Sequence, residues 1–319
     1  MKFLTLAVFS LPLLIRAQRP SKTSTCDFYS NTLLGSNTAK SQALLITLLV
    51  NTFVVGNYTT PNTGIPCAGF ASPAVFEGHD IALLPYFTGA YNSTNEGGNI
   101  GAAGVLFLDD GGATPLQKNM SSNGDVGTRQ YDLLTHIYGY FGNLLNCSQQ
   151  GTSDFPSYGG RTSMYKIHQF MDFDTYQMTF FISTVKSSAL SLGFAEADAT
   201  VLYNTLDTLF NRRCSPPLAV SGINAPPELQ SICIAANCPL DPNSNCSAYP
   251  DNGIALIPVN VTKEATGTAS SSGVLASPTG TAKPNGTVST GGAEFGMEIY
   301  SLPLLVAAIG SLAFAFSVL

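Results

Sequence analysis

Charge is scarce in this chain. Of its 319 residues 14 are Lys or Arg and 20 are Asp or Glu, 11% in all with a net charge of −6, against roughly 25% in an average globular domain. A nucleic-acid surface needs clustered Lys and Arg to displace counterions from phosphates, and the sequence has no such cluster, which excludes nucleic acid as a partner. Histidine is rarer still: His79, His136 and His168. The cysteines lack the Cys-x-x-Cys or Cys/His spacing of a zinc site. There is no Gly-x-Ser-x-Gly elbow, which removes the commonest serine-hydrolase signature, and no P-loop or dinucleotide fingerprint. The acidic stretch Asp109-Asp110-Gly111-Gly112 lacks the remaining ligands of a calcium loop and reads as a turn.

What is present concentrates first at the two ends. Residues 1–17 carry Lys2, an apolar run from Phe3 to Ile15 and a small residue, Ala17, the layout of a secretory signal peptide. Residues 294–319 follow the small cluster Ser289-Thr290-Gly291-Gly292-Ala293 with a spacer and an apolar end, the signal exchanged for a glycosylphosphatidylinositol lipid. Seven acceptors for N-linked sugar, at Asn57, Asn92, Asn119, Asn146, Asn245, Asn260 and Asn285, agree with passage through the secretory route. The expected location is the extracellular face of the plasma membrane or the cell wall. The partners there are the outer leaflet, reached through the lipid anchor, and cell-wall glycan. In that oxidising setting the seven cysteines pair and leave one over. Their connectivity is open, although the close set Cys214, Cys233, Cys238 and Cys246 staples a Cys-rich C-terminal lobe at 212–250. Residues 251–293, rich in Thr, Ser, Gly and Pro, bury too little apolar surface to fold and read as a disordered stalk.

The middle has a helical period. Leu44, Leu45, Leu48, Leu49 and Phe53 predict a buried helix over 39–55 that ends at Gly56 in a left-handed position, and Leu134, Ile137, Phe141 and Leu144 predict another over 129–145. Gly139 and Gly142 in that second helix let another segment approach closely. A short helix is expected over 163–171. A longer one follows from Asp174, with Gln177 completing a capping box, to Gly193, and a last one spans 196–211. Residues 57–128 form a long Gly- and Asn-rich insertion.

One run is more specific. Tyr158-Gly159-Gly160-Arg161 leads through Met164 to His168, and this resembles the proximal region of truncated haemoglobins, where an aromatic and glycine turn precedes the iron-binding histidine. Gln130-Tyr131-Asp132-Leu133-Leu134-Thr135 through Gly139 is similar to the distal helix of that family. Two helices after His168, separated by Leu192-Gly193-Phe194, follow in the family's order, and Phe28-Tyr29 with Leu33-Leu34-Gly35 resemble its opening helices. The resemblance implies a mainly α, globin-like helical domain over 26–211 with the insertion 57–128, a haem cofactor, iron held by His168 and a small diatomic ligand. Residues 143–154 are extra to the family pattern and must loop out. Phe53-Val54 stands where many members place a tyrosine facing the gas, so a distal hydrogen bond has to come from elsewhere.

The physical requirements can be stated without the family. A proximal histidine is neutral, offers one ring nitrogen to iron and donates its other N–H to a carbonyl. The opposite side needs a dry pocket with a donor. Gln130 and Tyr131 are the candidate donors, and His136, one turn further on, is either a second axial ligand or a packing residue. The function expected is therefore that of a surface haem protein that binds small gases or senses redox state. The alternative is a structural or adhesive glycoprotein without cofactor.

Overall fold

In the computed structural model, which describes residues 18–58, 65–91, 93 and 104–254, each stretch with a helical apolar period is a helix. α1 (Thr25–Leu34) starts where the Ser24 hydroxyl accepts the Asp27 N–H and stops at Gly35, whose φ is 76°. α2 (Ala39–Val55) has a reciprocal cap between Thr38 and Ser41. α3 (Ala113–Leu116) is a single turn inside the insertion. α4 (Arg129–Leu144) is capped by Thr128, and α5 (Met164–His168) by Ser163. α6 (Thr175–Leu192) has the expected box between Asp174 and Gln177 and ends at Gly193, whose φ is 113°. α7 (Glu196–Phe210) follows, with Glu196 and Asp198 in its first turn, where acidic groups favour the helix dipole. The described residues thus form a mainly α structure of seven helices and one short hairpin, tied by three disulfides.

The centre of the core is α2, which packs against α1, α4 and α6, while α6 packs against α7. Leu45, Ile46, Leu49, Val50 and Phe53 are buried along it. The Phe53 ring meets Phe141 of α4 at 5.1 Å, Phe181 of α6 at 5.8 Å and Phe70 at 6.0 Å, so one side chain joins three segments. Burying a side chain of this size contributes about 1.5–3 kcal/mol.

α2 ends at Gly56 as expected, but the backbone there is not left-handed helical: φ is 86° and ψ is −176°. The reason is that residues 67–71 fold back onto the helix end. The Asn57 N–H donates to the Cys67 carbonyl at 2.9 Å, the Phe70 N–H to that of Phe53 at 2.8 Å and the Ala71 N–H to that of Val54 at 3.0 Å. A Cβ on Gly56 would lie 2.7 Å from the Ala68 oxygen, so the close approach needs glycine as much as the turn does.

The glycines of α4 do admit a neighbour. A Cβ on Gly142 would stand 2.6 Å from the Phe155 ring and 2.7 Å from Gln150 Oε1, and one on Gly139 would meet Tyr158 Cα at 3.1 Å. Segment 150–158 therefore lies directly on the helix. Gly142→Ala is expected to destabilise by up to about 2 kcal/mol, because overpacking of roughly 1–3 kcal/mol outweighs a helix-propensity gain of about 1 kcal/mol. Equilibrium denaturation checks this, and a stabilised variant would show that the segment can yield.

Within the insertion, β1 (Ala74–Phe76) pairs antiparallel with β2 (His79–Ile81), with Ala74 opposite Ile81. Glu77 and Gly78 at φ of 50° and 81° make the tight connection. Leu106 bridges Thr88, and Val105 is buried beside them. The segment 143–154 does not loop out as a whole: Asn143 and Leu144 finish α4, Leu145 is buried and Gln150 packs on Gly142, while the turn between them leaves Asn146 exposed and Cys147 ties it to α1 through Cys26. Cys214 pairs with Cys246 and Cys233 with Cys238, closing the C-terminal lobe as a set, and Cys67 is the unpaired cysteine, buried.

The segments read as signal peptide and anchor, the stalk from 255 onward, and the acceptors Asn92, Asn260 and Asn285 lie outside the described residues. Among the described residues no single helix is long and apolar enough to cross a membrane.

Candidate functional site

α5 carries His168 and is too short to stand alone, so other segments hold it. Ser163 caps it and its hydroxyl donates to the Leu229 carbonyl at 2.8 Å. The Tyr165 N–H donates to the same carbonyl at 3.2 Å, and Gln230 Nε2 reaches the Thr162 carbonyl at 2.8 Å. The Tyr165 ring also meets Tyr249 edge-on at 4.8 Å. The disulfide-closed lobe is thus the platform on which this five-residue helix rests. Met164 and Met171 are buried in the main core.

His168 Nδ1 lies 2.8 Å from the Met164 carbonyl, one turn back on the same helix. In the neutral tautomer that carbonyl accepts the Nδ1 proton, and Nε2 keeps its lone pair and has no hydrogen-bond partner among the described residues. The ring is half-buried, yet enough protein surrounds it that desolvation pushes its pKa below the ordinary 6.5. These are the properties of an axial iron ligand: neutral, tautomer fixed, one nitrogen free. Among the described residues no three His, Cys, Asp or Glu side chains converge on a point, so no group of protein ligands that could hold a bare metal ion accompanies the histidine.

The same pKa has a consequence for stability. The unfolded chain takes up a proton on this histidine as pH falls through about 6.5, whereas the folded chain does so only at lower pH, so stability is full above that value and declines below it. Wild type is expected to lose more stability between pH 7.5 and about 5 than His168→Gln does, read from denaturant midpoints. Equal losses would contradict it. Burial raises the Asp172 carboxyl from 3.8, with Asp174 adding to it, so its protonation favours the folded chain and acts in the opposite sense at more acidic pH.

Gln130 is placed differently from the expectation. It is 0% exposed and its amide is fully engaged. Oε1 accepts the N–H groups of Gly112 at 2.9 Å and Asp110 at 3.2 Å, while Nε2 donates to the carbonyls of Gly112 at 2.9 Å and Ser121 at 3.0 Å. Reaching a bound diatomic would require releasing the whole segment, so the residue serves as a clip for the insertion. Tyr131 is half-buried, and its hydroxyl has no hydrogen-bond partner among the described residues. His136 is partly exposed on α4, 3.6 Å from Asp132 and edge-on to Tyr158 at 6.2 Å. His79, given no role from sequence, is exposed and stacks on Tyr176 at 3.5 Å. Asp109 accepts the N–H groups of Arg129 and Gln130 at 3.2 and 2.9 Å, capping α4, which explains the acidic stretch as a turn.

Sequence reasoning missed Asn51. It is 0% exposed in the apolar centre of α2, its Nδ2 donating to the Leu116 carbonyl at 2.9 Å and its Oδ1 accepting from the Tyr138 hydroxyl at 2.6 Å. A polar amide inside Leu48-Leu49-Val50-Asn51-Thr52-Phe53 was the available signal, since a buried amide needs partners.

One recess, of about 870 Å³, lies between residues 19–25, the end of α4 and α7, with Asp198, Val201 and Leu209 among its walls. A second, of about 340 Å³, is lined by Asn143, Asn146, Gln150 and Gly222. Neither borders His168, Gln130, Tyr131 or His136. The fit to haem is therefore divided: His168 has the chemistry of the ligand, whereas the plane of a porphyrin needs room that these two recesses do not supply. No protein-family model, curated protein or solved structure matches the chain.

Proposed function

We propose that the chain is a glycosylated, lipid-anchored cell-surface protein of globin-like build whose helical domain binds haem through His168. The observation that carries the reading is the state of that ring: Nδ1 turned to the Met164 carbonyl at 2.8 Å, Nε2 without a partner among the described residues, and the imidazole kept neutral by desolvation. The order α4, α5, α6, α7 also supports it, because it follows the order the proximal-run resemblance implies.

Bound haem supplies an iron that takes up a small diatomic or exchanges one electron. The chain's own residues do the rest. The Met164 carbonyl holds the ring orientation and increases the basicity of Nε2, and the lobe behind Ser163 and Tyr165 prevents α5 from turning. Gln130 being committed to the insertion, the Tyr131 hydroxyl is the remaining candidate for the distal donor. An oxidising exterior favours the ferric state.

A second reading rests on a specific observation. With Gln130 locked and the two recesses away from His168, the domain is equally suited to a cofactor-free structural or adhesive ectodomain. Haemin titrated into the purified secreted chain separates the two. The haem reading expects a saturable Soret band that is lost in His168→Ala, and the absence of a defined band in wild type would leave the cofactor-free reading.

A further inference from the structure

Two of the N-glycosylation acceptors share an arrangement that the others lack. In Asn146-Cys147-Ser148 and in Asn245-Cys246-Ser247 the middle residue is a cysteine, and both of these cysteines are in disulfides, with Cys26 and with Cys214.

Once folded, neither triplet is a substrate for glycan transfer. The transferase needs an extended chain that it can bend around its own site, with the hydroxyl two residues on free to hydrogen-bond. Asn146 has φ of 55°, its N–H donates to the Asn143 carbonyl at 2.9 Å, and that of Cys147 to Gly142 at 2.9 Å. The Ser148 N–H donates to Asp27 Oδ1 at 3.1 Å and its hydroxyl accepts from Gln42 at 3.3 Å. At the second site the Asn245 N–H donates to the Cys214 carbonyl at 2.8 Å, and the Ser247 hydroxyl donates to Asn245 Oδ1 at 2.8 Å. Each triplet is clamped to the segment that carries its partner cysteine. Both asparagines are nevertheless exposed, and neither Nδ2 has a hydrogen-bond partner among the described residues, so a sugar attached earlier fits the folded chain.

Resting on the secretory reading of the chain, we infer that glycan transfer at Asn146 and Asn245 competes with closure of the disulfide inside the same triplet. Transfer forms a bond from Nδ2 to C1 of the first sugar and breaks the bond from C1 to a lipid pyrophosphate, which leaves as Nδ2 gives up one proton. Closure removes two electrons and two protons from the two thiols, taken up by a disulfide of an oxidoreductase that becomes a dithiol. Either event can come first, but closure ends the opportunity for transfer, so both sites are partially occupied in the secreted chain. Asn119 is the internal control: it is exposed and also folds with a positive φ, of 59°, and its N–H bonded to the Leu116 carbonyl at 3.1 Å, but no cysteine lies in its triplet, so no disulfide closes there.

The test is glycan occupancy at Asn119, Asn146 and Asn245, read by peptide mass spectrometry after enzymatic release in heavy-oxygen water. The full chain is expressed in secreting cells with and without a pulse of dithiothreitol, and total cell protein is analysed so that misfolded chains are counted. Cys26→Ser is expected to raise occupancy at Asn146 alone, Cys214→Ser at Asn245 alone, and the reductant at both, with Asn119 unchanged. Full or zero occupancy at both sites in wild type, or no response to reductant and variants, overturns the competition while Asn119 stays modified. Sugar at none of the three sites would instead remove the secretory reading itself, and the inference with it.

Discussion

Cys26→Ser is expected to lower stability by about 5 kcal/mol, the loop-closure entropy of a loop this long, its cysteines being separated by 121 residues. That loop contains α2, the insertion and all of α4, so cutting it frees more of the unfolded chain than opening either of the lobe disulfides, whose separations are 32 and 5. The effect in the folded state adds to it, because the bond holds residues 145–149 against α1 and α2. The Cys26 N–H donates to the Leu145 carbonyl at 3.1 Å and the Gln149 N–H to Gln42 Oε1 at 2.9 Å, contacts that depend on the two strands of chain staying in register. With total stabilities of about 5–15 kcal/mol for a domain, a loss of this size leaves the folded state marginal at body temperature. Thermal unfolding should show a midpoint lower by roughly 10–20 °C, using about 2–4 °C per kcal/mol for a domain of this size. A fall of only a few degrees would mean that the noncovalent contacts of the turn already restrain the unfolded chain.

Gln130→Ala is expected to destabilise the chain by about 3 kcal/mol, as much as truncating a large apolar side chain of the core. Truncation removes four hydrogen bonds at once, taking these partners from the buried N–H and carbonyl of Gly112 and from the half-buried Asp110 N–H and Ser121 carbonyl. Gln130→Glu should do no better, since the atom that now donates to two carbonyls becomes an acceptor facing them. Hydrogen exchange gives the specific readout: the Gly112 amide should lose its protection in either variant. Retained protection there, with lowered global stability, would show that α3 and Asn51 hold the segment unaided.

How much of this was legible in the sequence depended on whether a feature has a period. α2, α4, α6 and α7 were readable because apolar residues recur at helical spacing between caps such as Asp174 with Gln177 and stops such as Gly193. The Gly139 and Gly142 contacts were readable as a need for space, though not as a contact with Phe155 and Tyr158. The hairpin Ala74–Phe76 with His79–Ile81 and the single turn at α3 are too short to carry a pattern. Gln130 was misjudged for a related reason. Its position at the start of an apolar face says which way the side chain points, but its partners at Gly112 and Ser121 are backbone atoms, which leave no trace in residue identity. His168 lies at the other extreme, since its partner is the carbonyl one helical turn back and helix geometry alone supplies it.

The proposed axial role of His168 Nε2 is tested most directly by the visible spectrum of the ferric complex of His168→Gly without and with added imidazole. Wild type is expected to bind haemin with a sharp Soret band, the glycine variant to lose it, and free imidazole to restore it by entering the place of the missing ring. Identical spectra for wild type and variant, unaffected by imidazole, would contradict it.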